Sequence, residues 1–154
     1  MFDLLLPRVI DNTYRGQKPG LWLFGLLVLV KLAMSMGIIF NGANVASTAD
    51  GIPLDTYPAA AAQTIVALFA LYGYATLVIC ALGILVLARY RSMIAIMFAL
   101  LLVEHLGRKL ILQFLPIVRV GAPPASAINL GLLTLILIGL ALSLWPRKSS
   151  EGTR

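Results

Sequence analysis

The chain has 154 residues, 60% of them hydrophobic and only 12% charged, with a mean hydropathy of +0.97. Soluble domains run at about 45–50% apolar and about 25% charged, so twelve bases and six acids cannot clothe a water-facing surface of this length. The formal charge of +6 is scattered at the ends of apolar segments, with no basic patch carrying interleaved aromatics, which excludes nucleic acid as a partner. What remains is an all-α integral membrane protein. Residues 1–154 read as one transmembrane domain, a four-helix bundle with the lipid bilayer as its first partner.

Residues 1–20 mix apolar side chains with Asp3, Arg8, Asp11, Arg15 and Lys18. Either a short amphipathic helix begun near Pro7 lies along the headgroups, or the segment is an irregular tail. It does not read as a secretory signal: its charged lead is long and includes acids, Lys31 interrupts the next apolar core, and no clean A-x-A site follows. The first expected span is 21–40, about 30 Å of helix with Trp22 at its entrance. Residues 41–58 then form an external loop with Asp50-Gly51 and Pro53 as turn signals. Asp50 and Asp55 are its two acids and it has no base; its length suits a functional loop as well as a disordered one.

The second span, 59–88, is longer than a bilayer needs and predicts tilt or a helical extension. Arg89-Tyr90-Arg91 is the tightest turn and pairs it, antiparallel, with the third span at 92–116. The fourth, 125–145, closes on Trp145 and Pro146-Arg147-Lys148. Ala33-x-x-x-Gly37 and Gly139-x-x-x-Ser143 hint at close helix contacts. The two halves share no motif spacing, so an internal inverted repeat has little support.

Bases set the orientation. Arg8, Arg15 and Lys18 precede the first span, Arg89 and Arg91 follow the second, Arg147 and Lys148 follow the fourth, and the opposite side has only Arg119. The positive-inside rule places both termini in the cytoplasm, in the plasma membrane or, for a prokaryotic chain, the inner membrane.

One stretch breaks the apolar pattern: Glu104, His105, Arg108 and Lys109 lie within six residues of the third span. A charge near a helix centre costs roughly 2.5–3.5 kcal/mol on insertion scales, while a Leu, Ile or Phe returns only about 0.3–0.6. That helix therefore needs partners inside the protein. At about 1.5 Å per residue from Arg91, Glu104 is about 20 Å deep; Lys31, counted from Gly20, is about 16 Å deep. An uncompensated charge in hydrocarbon is the most expensive state open to either, so Lys31 and Glu104 are expected to face each other.

Arg108, at i+4 from Glu104, is the competing partner. Arg108 and Lys109 lie near the outer edge of the core and can snorkel outward. On the second span Tyr72, Thr76 and Cys80 recur at i,i+4, and the hydroxyls of Tyr72 and Thr76 suit a buried ion pair. Ser35 lies one turn from Lys31. The pair itself reads equally as a packing strut or as a working centre.

No catalytic motif is present, and Glu104 and His105, about 100° apart on a helix, do not form a base-and-orienter pair. A lone histidine without companions at ligand spacing implies no metal and no haem, and no cofactor is expected. Cys80, the only cysteine, excludes an internal disulfide or a Cys-x-x-Cys centre.

Three readings of function follow. The first is a binding, assembly or accessory subunit of a membrane complex or a homo-oligomer, stabilised by Lys31–Glu104. The second is an oligomeric transporter of protons or of a small anionic solute or lipid. There Glu104, His105 and Lys31 exchange protons, and Arg108, Lys109 and Arg119 attract the anion. The third is a membrane enzyme at the outer leaflet using His105 and Glu104, which requires Asp50 or Asp55 to fold back onto Arg108 or Lys109.

Overall fold

The four apolar stretches become four long helices: α1 (Lys18–Phe40), α2 (Ala59–Arg89), α3 (Ile94–Phe114) and α4 (Ala125–Leu144). They are seen in a computed structural model that describes residues 2–146, with no strand among them. Prolines fix several of the ends. Pro19 sits in the first turn of α1, where no amide hydrogen is needed. Pro58 and Pro124 immediately precede α2 and α4, and Pro116 lies just beyond α3. Helices α1, α2 and α4 are long and apolar enough to cross a membrane. Such helices are the mark of a membrane protein; α3, with Glu104, Arg108 and Lys109, is not among them.

Helix α1 lies between α2 and α4 and packs most extensively on α2, while α3 packs mainly on α4. The Arg89–Arg91 turn therefore does not make α2 and α3 a packed pair, as their closeness in sequence suggested; they touch only lightly. The reason lies in side-chain size. Gly73 and Gly83 on α2 leave room for Ile38, Ile39 and Val28 of α1 to come into contact, so α2 closes on α1 instead. Ala33 and Gly37 play no such part: Ala33 is exposed and nothing approaches Gly37.

The molecule is layered along its helix axes. At the end holding Lys18, Arg89 and Leu144, the N-terminal segment is laid across the helix ends. Ser92 Oγ donates to the Asp11 carbonyl at 2.9 Å and accepts the Asp11 amide at 3.0 Å. The Tyr14 and Ser143 hydroxyls share a hydrogen bond of 2.9 Å, and the Gln17 amide donates to the Leu142 carbonyl. Helix forms here over Phe2–Leu5 and stops before Pro7. No amphipathic helix begins at Pro7; Asp11, Tyr14 and Gln17 instead tie the segment to Ser92, Ser143 and Leu142.

Next comes an apolar layer centred on Phe24 and Phe98, fully buried and edge-to-face with centroids 5.2 Å apart. Leu27, Ile94, Leu101 and Ile136 fill in around them. Then follows a polar layer.

At the far end the loop 41–58 folds into helical turns at Gly42–Asn44 and Val45–Ala49 and a 3₁₀ turn at Leu54–Thr56. It is tied down by the Val120 amide, which donates to the Gly51 carbonyl at 2.8 Å. Gly51 has φ +71°, and a Cβ there would press on the Val120 carbonyl, so only glycine suits both the turn and the contact.

Candidate functional site

The polar layer is assembled one residue at a time from the helices. Lys31 of α1 is 7% exposed, and its Nζ donates to Glu104 Oε2 of α3 at 2.7 Å. Tyr72 of α2 donates its hydroxyl to Glu104 Oε1 at 3.2 Å. One turn along α3, Arg108 Nη1 donates to the Tyr72 hydroxyl oxygen at 2.7 Å, and Nη2 donates to Asn129 Oδ1 of α4 at 2.8 Å. The Arg108 guanidinium also lies over the Tyr72 ring, 5.6 Å from its centroid. A continuous chain of five side chains thus touches all four long helices. Charge-assisted bonds of this kind are stronger than neutral ones, and a low-dielectric setting strengthens them further.

Arg108 does not compete for Glu104, and it does not snorkel outward. It is half-buried, turned inward by two neutral acceptors, because Asn129 offers an oxygen at its own level on α4. Asn129 is the residue that sequence reasoning missed; a lone amide amid the apolar run of the fourth span was the available signal. Thr76 is buried beside the network but donates to the Tyr72 carbonyl of its own helix at 3.1 Å, so it does not reach the ion pair. Ser35 donates to the Gly73 carbonyl, holding α1 against α2. Cys80 is buried and free.

Beyond the network, α3 and α4 separate to leave a cleft of about 520 Å³. His105, only 4% exposed, lines its inner end, and His105 Nδ1 has no hydrogen-bond partner among the described residues. Arg108 and Asn129 line its wall, and the exposed Lys109 and the half-buried Arg119 stand nearer the mouth. Among the described residues neither Arg108 nor Lys109 has a carboxylate within salt-bridge distance.

The two acids of the 41–58 loop lie elsewhere. Asp50 pairs with Arg119 at 3.9 Å and Asp55 is exposed, so neither reaches Arg108 or Lys109. The contact that the enzyme reading predicted is therefore not made, although the loop is docked and not free in solvent. Burial holds the Asp50 carboxyl above the ordinary aspartate range, outweighing the pull of Arg119 and, more weakly, of Arg108. A raised value in the docked loop means the proton is bound more tightly there than in the open chain. Loop docking is then strongest below the ordinary aspartate range and weakens as pH rises through the raised value. A carbon-13 titration of the Asp50 carboxyl should give a midpoint above the usual one, and Asp50→Asn should remove that pH dependence. A midpoint at or below the ordinary value would contradict the burial argument.

No three of His, Cys, Asp and Glu converge among the described residues. Compared with known protein families, curated proteins and solved structures, the chain has no significant match.

Proposed function

We propose that all four helices cross the membrane as a bundle, and that the protein works by binding, as an accessory or assembly subunit of a larger membrane complex. The observation that carries this is the chain Lys31–Glu104–Tyr72–Arg108–Asn129, with at least one member on every long helix. It gives Glu104 and Arg108 of α3 hydrogen-bond partners on the other three helices, which eases the placing of α3 in hydrocarbon. Because each of these side chains already has a partner, the network suits a fixed scaffold better than a cycling catalyst.

Arg8, Arg15, Lys18, Arg89 and Arg91 gather at one end of the helices, with Arg119 and the two loop acids at the other. That distribution supports cytoplasmic termini in a plasma membrane, the inner one for a prokaryotic chain. Arg147 and Lys148, which point the same way in the sequence, lie outside the described residues.

Mild extraction of the full chain in its native lipid, followed by mass measurement and partner identification, tests the assembly reading. A stoichiometric partner or a homo-oligomer is the expected result; a lone monomer would refute it. A second reading, an oligomeric carrier of protons or of a small anion using Glu104, His105 and Lys31, is favoured by His105 at the inner end of a cation-lined cleft. It requires pH- or charge-coupled flux in proteoliposomes, and fails if none is seen.

A further inference from the structure

We propose that the cleft between α3 and α4 binds one anionic phospholipid, its phosphate held by Arg108, Lys109 and Arg119. This rests on the membrane placement proposed above but not on the assembly reading.

Charge is the first argument. The cleft is lined by three cations and by no carboxylate. Glu104 is engaged by Lys31, and Asp50 makes its ion pair with Arg119. Arg108 makes its two hydrogen bonds to neutral oxygens, so among the described residues its charge has no carboxylate in direct contact and its guanidinium makes no other hydrogen bond. A cation in a low-dielectric wall without a counter-ion is a costly state, and a bound anion relieves it. Arginine is also the side chain best shaped to grip two phosphate oxygens at once.

Size and lining give the second argument. A bare phosphate fills little of about 520 Å³, a volume in the range of sites for drug-sized ligands. Leu112, Leu130 and Leu133 supply apolar wall beside the polar groups. A headgroup with part of its glycerol and acyl chain fits that mixture; a free ion does not.

The third argument is access. Two residues of the cleft's own lining, Ile117 and Leu130, are exposed and present hydrocarbon to the surroundings. In a bilayer such a cleft opens sideways to lipid. At the inner end, the unpartnered His105 Nδ1 belongs to a buried side chain of the cleft wall, a polar group the protein itself does not satisfy.

The test uses the purified full chain and native mass spectrometry with phosphatidylglycerol and phosphatidylcholine of identical acyl chains. One phosphatidylglycerol per chain should be retained about tenfold or more over phosphatidylcholine, given the contribution expected of each cation. Lys109→Gln/Arg119→Gln, which leaves the five-residue network intact, should bring the two lipids to near parity. Leu130→Trp, at an exposed position of the mouth, should do the same by filling the cleft, and serves if the double variant does not fold. Equal retention of the two lipids by the wild-type chain would overturn the proposal, as would a preference surviving either variant. Displacement of the lipid by millimolar inorganic phosphate would assign the site to a free anion instead, and so overturn the lipid. Because binding is read on the isolated chain, absence of a partner complex leaves this result unaffected.

Discussion

Lys31→Met should destabilise the folded chain by about 3–5 kcal/mol, the usual result of removing one member of a buried ion pair. The substitution removes a 2.7 Å ion pair, and the Glu104 carboxylate left behind keeps only the Tyr72 hydroxyl at 3.2 Å. Its other oxygen has no other donor among the described residues. Lys31→Met/Glu104→Gln should recover most of that stability. The amide of the glutamine can still accept from Tyr72, and no isolated charge remains between α1 and α3. Reversible unfolding in mixed micelles measures these two variants and Glu104→Gln, and the cycle should give a coupling of at least about 1.5 kcal/mol. A destabilisation under about 1 kcal/mol for Lys31→Met would mean that water or lipid headgroups already reach the pair.

Gly139→Ala should cost about 1–3 kcal/mol, although alanine is ordinarily the better helix residue. A Cβ built at Gly139 falls onto the ring of Phe98, which is fully buried and held edge-on by Phe24. The ring has no free volume to retreat into without displacing the apolar layer. Gly139→Leu should abolish accumulation altogether. Phe98→Leu placed in the Gly139→Ala background should restore part of the stability, because the clash is with that one ring. Gly37→Ala and Gly131→Ala meet nothing within 4 Å and should be neutral or slightly stabilising. Thermal denaturation in detergent of the three alanine variants and the compensated one reads the pattern. Equal effects at Gly139 and Gly37 would contradict the packing described.

What could be read from the chain alone follows the physics of each signal. Apolar runs bounded by proline, charge and polar clusters mark where the helices lie: Lys18–Phe40 and Ile94–Phe114 differ from the expected 21–40 and 92–116 by a few residues at most. Depth, counted by helix rise, put Lys31 and Glu104 at similar levels, and the structure brings them together at 2.7 Å. Rise along an axis says nothing about which helices are neighbours. The α2–α1 and α3–α4 pairing depends on Gly73, Gly83 and Gly139 meeting particular side chains, which a small-residue spacing could not separate from Ala33 and Gly37.

Arg108 illustrates the same limit. Its position near the end of the hydrocarbon argued for snorkelling, and acceptors on two other helices, the Tyr72 hydroxyl and Asn129, turn it inward. The cleft was invisible for a related reason: its walls come from α3, α4 and the segment 116–119 together, not from any one stretch of sequence. Asp50 was expected to act at Arg108 or Lys109 if it acted at all. Its partner instead is Arg119, because Gly51 anchors the loop to Val120 next to it in the chain.

The most direct test of the central claim is a dipolar-recoupling NMR measurement on the full chain in lipid bilayers, with nitrogen-15 at Lys31 Nζ and carbon-13 at the Glu104 carboxyl. Strong dephasing, unchanged when the bilayer is made more or less anionic, is the predicted result: the two groups touch, and no headgroup substitutes for either. Absence of dephasing would separate α1 from α3 at this level and remove the link on which the four-helix network depends.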